Sequence, residues 1–150
     1  MPKVPPPVYV ALGLAAQHLL APRGRPTPVR SVAAGAVAAG SVYVAASAVR
    51  AFSRKHTTVN PLEPERSTAV VVDGPFRYTR NPMYVSMAGV LTAHALLRGG
   101  WLPLVPVAAF VAVIDRIQIP AEEHALAWSF GRVYDDYRRT TPRWLGPPRR

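Results

Sequence analysis

From Ser31 to Phe52 the chain reads through alanine, valine, glycine and serine with a single charge, Arg50, near the end. A helix built from this stretch has no face that prefers water. About 20 apolar residues cross the hydrocarbon core of a bilayer, with about 17 as the practical minimum. A backbone placed there must satisfy its own N–H and C=O groups, which a helix does. The segment is therefore read as a membrane helix. Three further apolar segments run from Val8 to Ala21, from Met83 to Leu97 and from Trp101 to Ile119. The first is long enough only if Val4 to Pro7 enters the interface. The last two are short or interrupted and are joined by Arg98-Gly99-Gly100, which predicts an antiparallel helical hairpin. Hydropathy alone allows two to four spans; the reading adopted is four, at 8–21, 31–52, 83–97 and 101–119.

Small residues crowd Val32 to Gly40. Either they let this helix approach its neighbours closely, or they reflect an alanine preference of the whole chain. The 150 residues suffice for one domain. Charged residues make up 17%, against about 25% in soluble domains, and they cluster between the apolar segments. A formal charge of +10 raises nucleic acid as a partner. The arginines instead border apolar stretches, as they do where membrane spans meet anionic lipid headgroups, and no interleaved aromatic-basic pattern of a single-strand binder is present. The expected partners are membrane lipids, not nucleic acid. The chain has no cysteine, which excludes disulfides, thiolate metal sites and cysteine nucleophiles. Lys3 is too thin an n-region, with no convincing cleavage site, for a removed signal peptide. Both termini on the cytoplasmic side would place 14 of the 18 Lys and Arg inside, leaving Arg23, Arg25, Arg30 and Arg98 outside. The absence of organelle signals and the Arg/Ala/Pro bias point to a bacterial cytoplasmic membrane.

A long polar connection, 53–82, separates the second and third spans. Asn60-Pro61 and Pro64 mark turns, and Ala69 to Val72 is a short β-like run ending at Asp73-Gly74-Pro75. Loops of this length in compact domains are usually functional or disordered. Pro120 is expected to interrupt the helix after the fourth span, and an amphipathic helix to follow over 121–139. There Leu126, Phe130, Val133 and Tyr137 share a stripe with Tyr134 at its edge. Glu122 and Glu123 fall within the arc of that stripe. A carboxylate facing an apolar surface must be paired, hydrated or liganded, so the pair marks a candidate site; the alternative is acidic charge complementing a helix N-terminus. Asp115 and Arg116, near the end of the fourth span, either face a polar interior or snorkel to the interface.

Gly74 to Tyr84 is the most patterned stretch. Asn81 followed by Pro82 is a helix start, with Asn at the N-cap and Pro at N1. Free N–H groups there, with Arg77 and Arg80 beside them, suit a carboxylate or phosphate; capping plus ordinary interface arginines account for the same residues. His18, His56, His94 and His124 have no metal-ligand spacing, and no metal is assigned.

Taken in order, these pieces resemble the isoprenylcysteine carboxyl methyltransferase and phospholipid methyltransferase superfamily. The series is Thr58-Val59-Asn60-Pro61, Gly74-Pro75-Phe76-Arg77-Tyr78, Arg80-Asn81-Pro82-Met83-Tyr84, Glu122-Glu123, Leu126, Phe130-Gly131, Tyr134, Tyr137 and Pro142-Arg143-Trp144-Leu145. The resemblance implies an all-α integral membrane enzyme whose S-adenosylmethionine (SAM) pocket lies on the cytoplasmic side. Arg77, Arg80, Asn81, Pro82 and Tyr84 would line it from one side, and Glu122, Glu123, Tyr134 and Tyr137 from the other. Arg77 and Arg80 would hold the cofactor carboxylate, Glu122 or Glu123 its amino or hydroxyl groups. The methyl acceptor would be lipid-like or a small apolar molecule bearing a carboxylate, amine or thiol. The pattern more often has His where this chain has Asn81, which cannot titrate or carry charge. No catalytic residue is singled out, and a non-catalytic protein keeping the same architecture is the alternative.

Overall fold

The computed structural model describes residues 4–22, 24–54 and 69–149. The Thr58-Val59-Asn60-Pro61 motif, the turns at Asn60-Pro61 and Pro64, and His56 lie outside them. Among the described residues every regular element is a helix, with no strand: α1 (Pro6–Leu20), α2 (Pro28–Arg54), α3 (Pro82–Arg98), α4 (Leu104–Val113), α5 (Ile119–Phe130) and α6 (Arg132–Thr140). Ala69 to Val72 belongs to neither a helix nor a sheet. Its valines do not ladder with another strand; Val70 and Val71 instead pack beneath Phe76 and α6.

Proline and glycine set the helix boundaries. Pro28 and Pro82 sit at the first turns of α2 and α3, where a missing N–H costs nothing. Asn81 does occupy the N-cap, but its side chain makes no cap hydrogen bond to the helix. At the far end of α3, Arg30 reaches across from α2. Its Nε donates to the Leu96 carbonyl at 2.9 Å and its Nη2 to Leu97 at 3.0 Å, satisfying carbonyls that a helix C-terminus leaves unpaired. Gly99 and Gly100 then take φ of +75° and +73° and turn the chain back into α4.

Pro120 does not break the helix. Ile114–Gln118 form a π-turn that joins α4 to α5 in one continuous rod. Ile119 N–H bonds back to the Ile114 carbonyl, five residues away. The residue after it is the proline, whose lack of a donor is absorbed at the widened turn. Among the described residues two helices are long and apolar enough to cross a membrane: Pro28–Arg54 and the joined Leu104–Phe130, 27 residues each. Only 17% and 28% of their apolar windows are buried within the chain, and Val29, Val32, Val42, Tyr43, Val105 and Ile117 face outward. At 15 and 17 residues, α1 and α3 reach about 22 and 26 Å, short of a hydrocarbon core of about 30 Å.

The α2–α3 pair makes the most extensive contact in the bundle among the described residues. Ala34, Ser41 and Ala48, spaced by seven, are the buried stripe of α2, whereas Gly35 and Gly40 are exposed with open space around them. On the α2 side, close approach thus uses alanine and serine, not Gly35 and Gly40. A second contact ties α1 to α3 and α4: Gln17, fully buried, donates through Nε2 to the Leu91 and Pro103 carbonyls at 2.9 Å each, and its Oε1 meets His94 Nδ1 at 2.8 Å.

The amphipathic segment is two helices, not one. Gly131 adopts φ +52°, ψ −126°, a conformation that side chains disfavour, and the helical phase restarts there. Leu126 and Phe130 pack inward as their stripe requires. Beyond the break, Tyr134 and Tyr137 are the buried residues of α6, while Val133 is 64% exposed.

Candidate functional site

Arg80 enters the core from the turn before α3. Its backbone N–H donates to the Pro142 carbonyl at 2.9 Å, and its Nη1 to the Arg138 and Thr141 carbonyls at 2.9 and 3.1 Å. These bonds fix the guanidinium so that Nη2 lies 2.6 Å from Glu123 Oε1, with both side chains only 11% exposed. Arg143, on the C-terminal segment, takes the other oxygen: Nη2 stands 2.7 Å from Glu123 Oε2 and Nε 3.2 Å from Oε1. One buried carboxylate is thus held between two guanidiniums. Burying an ion pair is favourable only when further hydrogen bonds satisfy its remaining valences; Glu123 meets that condition, but Arg80 Nε is buried with no partner among the described residues. Hydrogen bonding to Glu123 raises the already high pKa of Arg143, so it is a permanent cation.

Arg143 also reaches α4–α5. Its Nη1 lies 3.2 Å from Asp115 Oδ1 and 3.4 Å from the Asp115 carbonyl, and Trp144 Nε1 donates to the same Oδ1 at 2.9 Å. The C-terminal segment is tied in return to residues 78–81. Thr79 Oγ1 and Asn81 Nδ2 both donate to the Arg143 carbonyl at 3.0 Å, and Gly146 N–H to the Tyr78 carbonyl at 3.0 Å. This is where the Asn81 side chain is spent.

Glu122 sits beside the arginine cluster with different company. Tyr84 Oη donates to its Oε1, and Gln118 Nε2 donates to the same oxygen at 2.7 Å. Glu123 is neutralised by arginines, whereas Glu122 is oriented by neutral donors.

An open cleft of about 380 Å³ has Arg80, Glu123, Asp135, Arg138, Arg139 and Arg143 in its wall. Four cations and two carboxylates line it, a composition suited to an anionic group with an amine close by. Of the residues expected from the sequence, the structure brings Arg80 and Glu123 into this wall. Asn81, Pro82, Tyr84 and Glu122 are not in that wall. Nor is Arg77: it is exposed and lines a separate groove with Tyr78 and Tyr137, because the short 3-10 turn Gly74–Arg77 carries it away from Arg80. Tyr137 donates to the Phe76 carbonyl at 2.8 Å and anchors that turn. Tyr134 is buried between α6 and the core. Burial pushes Tyr134 up to about 12 and Tyr137 higher still, so both are neutral packing elements at ordinary pH. The sequence pattern does not assign Asp115, Arg138 or Arg143 to the site. For Arg143 a signal exists, an arginine followed by tryptophan within the ordered Pro142–Leu145 motif.

The chain belongs to the phospholipid methyltransferase family, whose sequence model matches residues 29–133. That match covers α2 through the start of α6 and includes Arg80, Glu122 and Glu123. An uncharacterised protein of Haemophilus influenzae is 38% identical over 63 residues, which cover 42% of this chain and 100% of that relative. No solved structure matches. Membership in a family of membrane methyltransferases, together with two long apolar helices, makes this a membrane protein of methyltransferase type.

Proposed function

We propose that this member of the phospholipid methyltransferase family transfers a methyl group from SAM, held in the Arg80–Glu123 cleft, to a lipid-like or small apolar acceptor that arrives from the bilayer. The observation that carries the reading is the convergence of Arg80 and Glu123, 43 positions apart, at 2.6 Å in the wall of an open cleft. The residues present fit the cofactor. Arg80 keeps an unpartnered buried Nε, which suits an added anion, and Glu123 and Asp135 suit an ammonium or a ribose hydroxyl. When bound, SAM supplies a methyl group already activated on a sulfonium.

The chain's own work is then positioning and the exclusion of water. Fixing two reactants in line supplies several kcal/mol without a covalent enzyme intermediate. Arg80, held by three carbonyls, presents a fixed cation. Tyr84 and Gln118 orient Glu122, whose Oε1 they share. A carboxylate acceptor requires no base, whereas an amine or thiol must give up a proton, and Glu122, bound by Tyr84 and Gln118 and not by an arginine, is a carboxylate that could take it. Asn81 cannot do so, since it does not titrate and its amide is bound to the Arg143 carbonyl. With α1 and α3 accommodated by local thinning of the bilayer and by snorkelling of their flanking residues, the four-span arrangement with both termini on the cytoplasmic side of a bacterial membrane completes the reading. It places the cleft, the 53–82 connection and α6 together on that side.

One observation favours a non-catalytic protein of the same architecture: both oxygens of Glu123 are already occupied by arginines, as in a purely structural clasp. Isothermal titration of the purified chain in detergent with SAM separates the two. The expected result is saturable binding that Glu123→Gln weakens. No binding by a folded wild type refutes the enzyme reading, and a Glu123→Gln variant with full affinity and turnover refutes the assigned site.

A further inference from the structure

The π-turn does more than accommodate Pro120. Asp115 and Glu123 are eight positions apart, which on an α-helix leaves them about 80° apart around the axis. A π-turn acts as one inserted residue, and the same two positions then lie within about 20° of each other. That register is what allows one side chain to grip both. Arg143 does so, with Nη1 on Asp115 and Nε and Nη2 on Glu123. The widened turn also leaves the Asp115 carbonyl without its α-helical partner, because Ile119 N–H bonds to Ile114 instead, and Arg143 Nη1 approaches that carbonyl at 3.4 Å.

We infer that Arg143 is a second arginine for the cofactor carboxylate, delivered to the cleft by the C-terminal segment, and that Asp115 is the positioning residue that aims it there. The inference rests on the SAM reading above and extends it to Asp115 and, outside the 29–133 family match, to Arg143 and Trp144. Arg143 lines the cleft together with Arg80. A guanidinium carries five N–H donors, and of the two on Nη2 only one is used on Glu123, in Arg143 as in Arg80. The two arginines therefore flank Glu123 with a donor each in hand, a paired cationic arrangement that matches a planar carboxylate better than one arginine alone. Trp144, bonded to the same Asp115 oxygen, fixes the carboxylate that fixes Arg143. Residues 141–146 thus complete the site instead of trailing from it.

The test compares two ligands on the full chain in detergent: SAM and decarboxylated SAM, which keeps the sulfonium, amine, ribose and adenine. Arg143→Gln should weaken SAM by on the order of 10–100-fold, the range for a hydrogen bond to a charged group, while decarboxylated SAM binds as to the wild type. Asp115→Asn should show the same selectivity loss, smaller in size, and carries the test where Arg143→Gln does not fold. Equal weakening of both ligands, or of neither, overturns the inference while leaving the SAM reading intact. Wild-type protein that binds neither ligand overturns both.

Discussion

Gly89 is where the α2–α3 contact has no room to give. A methyl group at that position would stand 2.0 Å from Ser41 Oγ and 3.2 Å from Ser41 Cβ, where ordinary contacts begin at 3.4 Å. Ser41 cannot simply swing aside. Its hydroxyl donates to the Val37 carbonyl at 2.8 Å, and its own carbonyl accepts from Ser86 at 2.8 Å. Gly89→Ala therefore forces either a broken serine bond with a residual close contact or a separation of the two helices. Overpacking of this kind costs about 1–3 kcal/mol. For a chain of this size about 2–4 °C of melting temperature accompanies each kcal/mol, so thermal unfolding in detergent should fall by about 2–12 °C. Adding Ser41→Ala removes the 2.0 Å overlap and should recover most of the loss, a coupling that distant substitutions do not show. Since α3 begins directly after Arg80 and Asn81, an outward shift should also lower SAM affinity. A Gly89→Ala protein as stable as the wild type, or one that Ser41→Ala fails to rescue, refutes the close-packing argument.

Other outcomes rest on the same geometry. Tyr134 is held at about 12 against a usual 10.0, and Tyr137 higher. The unfolded chain therefore sheds phenolic protons that the folded one keeps: stability should be level below about pH 10 and fall as pH climbs from about 10 toward about 12. Tyr134→Phe should make that decline shallower in a circular-dichroism titration, and an unchanged slope counts against burial as the cause. Gln17→Leu, which strips three hydrogen bonds from a fully buried junction, should destabilise by about 1–3 kcal/mol. Because that junction is at the opposite end of α3 from Arg80, SAM affinity should be little altered, as calorimetry of the folded fraction would show. Gly131→Ala places a side chain at φ +52° and should cost about 1–3 kcal/mol. It should weaken SAM more than Gln17→Leu does, since α6 supplies Asp135 and Arg138 to the cleft; the reverse order would argue that α6 does not form the wall.

What a sequence carries about such a protein depends on whether the signal is periodic or local. The 31–52 stretch and the Gly99-Gly100 turn are legible because one is a long uninterrupted pattern and the other demands a backbone that only glycine adopts readily. Glu122 and Glu123 are legible as inward-facing because they share an apolar arc. Their different partners are not, since Arg80 and Tyr84 reach them only through the folding of α3 against α5. The errors at Pro120 and Gly131 share one cause, a change of helical phase. Pro120 reads as a stop because the rule for proline in a helix assumes α-geometry on either side; a π-turn removes the conflict by moving the hydrogen-bond ladder one residue back. Gly131 does the opposite, ending a helix that the stripe of Leu126, Phe130, Val133 and Tyr137 would have continued, and so exchanges Val133 for Tyr134 at the core. Each event rotates the helix beyond it. The first sets Asp115 in line with Glu123, and the second turns Tyr134 and Tyr137 beneath the cleft. An angular plot that assumes about 100° per residue from end to end mistakes both, because the site is assembled at the two places where that assumption fails.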